Sequence, residues 1–465
     1  LKKIFKNISL DNENNDNEID NITSKSQAFN LLVNKIKNED NLDELYFDLY
    51  RYFSLDDEYK LKTKKVIEGI NYSNIKNKIE SSKVKKLYQN TSLSISKLES
   101  YAKCPFSYFI KYGLKAKERN EYSFSSPQLG TFMHHALDEF SKNLYEDKKT
   151  WKDIDEMYIN TKISEITNNI LNKIPGYILK SSERYKYLVK RIKNMLCYAI
   201  LIISEQIKAG EFEPCGFEVD FSKNGKYPPI KIVLDNNEEI ILRGQIDRID
   251  EFENQNGKYI RIIDYKSSKK DISLSDIYYG IQLQLIVYLD AILEAEKNSY
   301  PAGIFYSTID DPIAKFSEDK EDEEIKNTIL NHLKMKGLLL NDVDIIKKMD
   351  NSLDNSKSSL IIPANIKKDG TLGKSSKCID EEDFSLIRNY VRSLIKDLCK
   401  EMLDGNISLS PIKQKEKTSC DYCLYSSICQ FDKSFNNYKV INKKTDDEIL
   451  DLMKGTKKCG QNNNN

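Results

Sequence analysis

The chain changes its hydrophobic period partway along. Up to about residue 90, apolar positions are sparse and fall at weak helical spacing, as in residues 27–38 and 58–79, among many Lys, Asn and Glu residues. Residues 92–113 read as two short helices parted at Cys104-Pro105, because proline lacks the amide a helix interior needs yet suits a first turn. Gly113 is a good terminator for the second. An amphipathic helix is expected over 128–145 and two more over 151–209, closed by Gly210. The period then drops to two. Residues 212–221, 230–234, 240–252 and 259–266 are strand candidates, the last two joined by the turn signal Asn254-Gln255-Asn256-Gly257. A long helix over 275–296, a fifth strand over 302–308 and a helix over 382–403 follow. Residues 310–381 are acidic and irregular and read as an insertion with one or two helices. A polar tail starts near 436 and is expected to end in disorder at its asparagine run. Helices, then antiparallel strands, then helix, strand and helix predict an α/β fold, a mixed central sheet flanked by helices.

Size and charge narrow the functional classes. The 465 residues allow a helical region over 1–90, a main domain over 91–435 and a tail over 436–465. Lys+Arg and Asp+Glu are both 72, so a nucleic acid must be held by local basic patches and not by a global field. The longest apolar stretch, near residues 196–203, is far short of the roughly 20 residues of a membrane span. No GxxxxGK[ST] motif occurs, so no P-loop for ATP is expected here. The first residue is Leu, and the chain is read as a piece of a longer polypeptide. Nine scattered cysteines argue against a disulfide framework and fit a reducing cytoplasm.

The most informative segment is RGQIDRIDEFENQNGKYIRIIDYKSS. Residues two apart on a strand share a face, so Asp264 and Lys266 project together, and a hairpin can set Asp247 beside them. Flanking isoleucines place these charges in a buried sheet, where charge is costly unless paired or used. Two carboxylates and an ammonium held this way suit a hard divalent cation and a phosphate. Asp247 and Asp264 would supply oxygens to Mg²⁺, the Tyr265 carbonyl could add another, and Lys266 would position or deprotonate the attacking water or hold phosphate oxygens. Asp250 falls on the opposite face from Asp247 and reads as a structural or solvent residue.

Further polar residues sit in apolar surroundings. His134 lies in LGTFMHHALDEF, where only one of the two adjacent histidines can face the core. Gln284 and Tyr288, four apart in YYGIQLQLIVYLDAIL, share a helix face. Glu218 in GFEVDF is a third candidate. Each is also compatible with a purely structural role. Cys420, Cys423 and Cys429 form C-x2-C-x5-C, with Cys104 the candidate fourth ligand more than 300 residues away. Spacing alone allows either zinc or an iron–sulfur cluster.

Taken in order, GxxxH, E, GxIDRID, IDYKS and QLxxY resemble the RecB-type branch of the PD-(D/E)XK nuclease superfamily, which has a restriction-endonuclease-like fold. That resemblance implies metal-binding and hydrolytic roles for His134, Asp247, Asp264 and Lys266, with Gln284 and Tyr288 on the following helix. Glu218 is a looser match. The Cys-Pro-Phe helix and the later cysteines resemble the iron-staple nucleases, which implies a [4Fe-4S] cluster on Cys104, Cys420, Cys423 and Cys429. SISKLESYAKCPFSYFIKYGLKAKER is similar to the AddB family of bacterial helicase–nucleases. This implies a Mg²⁺-dependent exonuclease acting on one DNA strand, an AddA-like helicase partner, and a role in resecting double-strand ends for recombinational repair. Residues 1–90 would be the end of a helicase-like region, and 310–381 match no motif of the family. The alternatives are a stand-alone CRISPR-associated exonuclease with the same staple, and a DNA-binding protein with an inactive nuclease fold.

Overall fold

The computed structural model describes residues 23–38, 44–70, 77–88, 93–117, 126–173, 183–222, 225–235, 237–309, 322–353, 357–434 and 436–461. The chain divides into two compact units, Leu1–Ile75 and Lys76–Asn465. In the first, helices Lys25–Asn38, Glu44–Leu55 and Lys60–Ile70 bury Phe29, Leu32, Tyr46, Phe53 and Tyr59 against one another.

The second unit is built on a six-stranded sheet whose strands lie side by side in chain order. They are β1 (Glu213–Asp220), β2 (Gln245–Asn254), β3 (Gly257–Lys266), β4 (Ser299–Thr308), β5 (Lys336–Leu340) and β6 (Cys378–Ile379). β1, β2 and β3 are antiparallel, β3 and β4 are parallel, and β5 runs against β4. The parallel pair explains why β3 and β4 read as nearly unbroken apolar runs: both faces are covered. Helix α1 (Ile95–Lys103) is capped by the Ser94 hydroxyl and ends at Cys104. Helices α2 (Ser126–Glu146) and α3 (Glu156–Lys173) lead to α4 (Glu183–Lys208). α2 packs on β1, while α5 (Gln284–Ala295) forms the crossover from β3 to β4 and packs on both. α6 (Glu381–Leu403) lies against α5.

Several sequence expectations change here. The strand foreseen over 240–252 breaks at Gly244: Glu239–Arg243 joins a separate small sheet with Leu93–Ser94 and Ile230–Val233, and only Gln245–Asn254 enters the main one. The break has a steric reason, since a Cβ at Gly244 would meet Tyr288 Cε1 at 2.5 Å. The helix foreseen over 275–296 splits into Leu274–Tyr278 and α5 around Gly280, whose φ of +80° favours glycine. The supposedly irregular 310–381 contains helices Asp322–His332 and Val343–Met349, but also β5 and β6, which extend the main sheet. Short strands flanked by polar loops carry too few residues to show their period. The polar tail is corrected too: Asp446–Gln461 is a helix, with Ile449, Leu450 and Met453 buried against α6. Its asparagine end, 462–465, lies outside the described residues, as do 1–22 and Arg119.

Candidate active site

The hairpin of β2 and β3 is paired from Asn254 and Gly257 at its turn to Arg248 and Ile263. There the ladder ends, and the next residue on each strand is an aspartate, Asp247 and Asp264. In place of a carbonyl, the Asp247 Oδ2 accepts the Tyr265 N–H at 2.6 Å. Strands parting at this point open a gap lined by two carboxylates, which are only 7% and 2% exposed. Lys266 shares the face of Asp264, and its ammonium pairs with Asp264 Oδ2.

β1 and α2 supply the other side. Glu218 lies between the pairs Phe217–Arg248 and Val219–Ile246, across the ladder from Asp247. Its φ of +46° is a left-handed conformation that costs a non-glycine residue about 1–3 kcal/mol. Such strain persists only where the surroundings enforce it. On α2, Phe132, Met133, Ala136, Leu137 and Phe140 face the core, which leaves His134 at its edge and His135 exposed. His134 Nδ1 sits 3.0 Å from Glu218 Oε1 and 3.4 Å from Asp247 Oδ1. One ligand atom each from His134, Glu218 and Asp247 fall within 4.8 Å of one another, so these three could hold a metal ion.

The electrostatics describe a site built around a cation. Burial pushes the Asp264 carboxyl up to about 7, helped by the charge of Asp247 and opposed by Lys266. Burial also raises Glu218. For His134 burial disfavours the charged ring, but Asp247 and Glu218 together outweigh it and lift the imidazole to about 10. The imidazolium thus neutralises carboxylates that otherwise repel.

This geometry agrees with a family match: the PD-(D/E)XK nuclease superfamily profile covers residues 92–430. The chain belongs to that superfamily. It is 56% identical over 477 residues to the AddB subunit of the ATP-dependent helicase/deoxyribonuclease from Clostridioides difficile (strain 630), covering 98% of this chain and 41% of the relative. It is 45% identical over 468 residues to the protein of the same name from Thermoanaerobacter sp. (strain X514), covering 97% and 41%. With the Clostridium novyi (strain NT) protein, also so named, identity is 44% over 459 residues, covering 96% and 40%. The chain spans about two fifths of the length of these relatives.

Other residues complete the PD-(D/E)XK centre. Tyr288 on α5 is buried, accepts the Gln245 N–H at 3.3 Å, and lies close enough to feel both aspartates. Gln284, one turn earlier, hydrogen-bonds the Tyr288 hydroxyl. The first turn of α5 is held by Glu99 of α1, whose Oε1 accepts from Leu283 N at 2.7 Å and Gln284 N at 3.1 Å. Glu99 did not stand out in the sequence; an acid among Leu98, Tyr101 and Ala102 was its only signal. Behind the hairpin, Asp250 is structural and fully buried, with no contact to solvent. It takes a bidentate contact from Arg248 at 2.6 and 2.7 Å and a third bond from Arg261 at 2.8 Å. Arg248 also donates to Gln206 of α4.

The cysteine-bearing loop meets the end of α1. Ser419 Oγ donates to the Lys103 carbonyl at 3.3 Å, and Ser107 Oγ lies 3.9 Å from Cys423 Sγ. Tyr425 donates to the Ala116 carbonyl at 3.2 Å. Burial raises the Cys104 thiol to about 11, and Cys420 and Cys423 are near enough to add to it. Segments about 300 residues apart in sequence therefore converge. Cys399 is a plain core residue on α6, while Cys197 is only partly buried on α4. Among the described residues no helix is long and apolar enough to cross a membrane.

Proposed function

We propose that this chain carries a Mg²⁺-dependent exonuclease centre that degrades one strand of DNA while an AddA-like helicase–nuclease partner unwinds the duplex. The observation behind this reading is the meeting of His134, Glu218, Asp247, Asp264 and Lys266 where β2 and β3 part. Relatives named as AddB subunits of a helicase/deoxyribonuclease, matched over nearly this whole chain, favour a partner helicase, DNA as substrate and work in end resection for recombinational repair. They also favour this over a stand-alone exonuclease. A cytoplasmic location goes with that role.

His134, Glu218, Asp247 and Asp264 would hold the cation, with the Tyr265 carbonyl on the same strand edge. A bound Mg²⁺ offsets the charge developing on the scissile phosphate and makes a water more acidic. Lys266, anchored by Asp264, directs its ammonium at that water or at a phosphate oxygen. Gln284 and Tyr288 form the wall opposite the strands and orient the strand being cut.

Cys104, Cys420, Cys423 and Cys429 would bind a [4Fe-4S] cluster that ties the ends of the nuclease region together. A single zinc ion, with bonds of about 2.3 Å, needs its sulfurs under roughly 4 Å apart. Among the described residues no three of these thiols lie within 4.8 Å of one another, which supports the wider iron–sulfur group. Closing so long a loop costs entropy that metal–thiolate bonds offset.

The test is digestion of end-labelled single-stranded DNA with and without Mg²⁺, with Asp264→Ala as control, on anaerobically purified protein assayed for iron. Equal cutting by both proteins would refute the assignment of the centre; colourless, iron-free protein would refute the cluster.

A further inference from the structure

Past β3 the chain runs through exposed Ser267, Ser268 and Lys269 and then turns Lys270 inward. Its Nζ sits 4.5 Å above the centre of the Tyr306 ring, and Lys266 Nζ lies 5.7 Å from the same ring. Tyr306 is the β4 neighbour of Asp264 and is 1% exposed. Two ammonium groups therefore flank one buried aromatic face beside the catalytic strand. Their situations differ. Lys266 is paired with Asp264. Lys270 is only partly exposed, and among the described residues no carboxylate lies within ion-pair distance of it. Glu99 acts on it from further away, and its Oε1 already accepts two N–H bonds from the start of α5. Lys266 and Lys103 add repulsion.

A half-buried ammonium with only a ring face for company is unfavourable by itself, and burial does depress its proton affinity. The loop also holds it in place. Gln282 Nε2 donates to the Asp271 carbonyl at 2.9 Å, and Gln282 Oε1 accepts the Ser273 N–H at 2.9 Å. That brace fixes the backbone right after Lys270, so the charge is set before any ligand arrives.

We propose that Lys270 binds a backbone phosphate of the DNA strand, next to the phosphate held at Lys266. The proposal deepens the nuclease reading and rests on it. Lys270 supplies the charge that seats the strand; Tyr306 supports both lysines from below.

The experiment measures binding of a short single-stranded oligonucleotide to the full chain in Ca²⁺, followed by cleavage in Mg²⁺. Lys270→Ala is expected to weaken binding about 10- to 100-fold, in line with loss of a charged hydrogen bond, and Lys270→Arg to recover most of it. Oligonucleotides carrying one neutral methylphosphonate at each linkage in turn locate the contact. One linkage should cost the wild-type protein affinity and cost Lys270→Ala nothing further. Lys270→Met, which keeps the stem over Tyr306, serves if the alanine variant does not fold. Binding by Lys270→Ala within twofold of wild type, or equal methylphosphonate penalties in both proteins at every linkage, would overturn the proposal. Wild-type protein that binds but never cuts would instead sink the nuclease reading and leave the phosphate contact to be judged by the binding data.

Discussion

The Tyr265 amide donates to the Asp247 carboxylate at 2.6 Å, across two strands at the point where their ladder stops. One carboxylate thus does two jobs: it replaces a missing main-chain acceptor and turns its other oxygen towards His134. Separating the two is straightforward. Asp247→Asn keeps an acceptor for Tyr265, so its melting temperature should stay near wild type while cleavage falls at least 100-fold. Asp247→Ala should lose cleavage and also about 1–3 kcal/mol of stability, since a buried N–H is left unpaired. Urea denaturation beside the nuclease assay distinguishes them.

Asp264 gives a pH prediction. Its folded carboxyl titrates near 7, above the ordinary 3.8. The fold therefore binds that proton more tightly than the unfolded chain does. Its contribution to stability is full below about pH 4 and lost as pH rises through 7. In metal-free protein at pH 8, Asp264→Asn should be the more stable form by up to about 3 kcal/mol, with the gain vanishing at pH 4. Thermal melts in EDTA across that range decide it; a constant difference at all pH values would contradict it.

The buried charge cluster behind the hairpin predicts the opposite sign. Asp250→Ala leaves Arg248 and Arg261 buried without their shared carboxylate, which should cost about 3–5 kcal/mol. Replacing all three by apolar residues of similar volume should recover most of that loss. Should Asp250→Ala melt like the parent protein, the cluster is not what holds the hairpin register.

Glu99 links α1 to the first turn of α5. Glu99→Ala should cost about 1–2 kcal/mol, the usual range for losing a helix N-terminal acceptor. It should also slow cleavage, because α5 carries Gln284 and Tyr288. Glu99→Gln retains an acceptor oxygen and should retain most activity. Equal rates for the alanine variant and wild type would show that α5 is positioned by packing alone.

Much of this site is readable from local spacing. The i, i+2 relation of Asp264 and Lys266 and the turn before Gly257 fix the hairpin and the faces of its charges. The choice between His134 and His135 follows from the apolar stripe of α2. What stayed hidden depends on distant partners. Glu99 acts on residues 184 and 185 positions away, Tyr306 reaches Asp264 through a parallel pairing, and β5 joins the sheet from a stretch that looks like loop.

The sequence by itself determined the hairpin, the paired aspartates with their lysine and the helical histidine, because side-chain direction along a strand or helix repeats with a fixed period. The tertiary structure alone decided that Glu218 stands opposite Asp247 in a strained conformation, that α1 caps α5, and that Lys270 turns inward beside Tyr306. Those relationships arise from packing between segments far apart in the chain, and no local period records them.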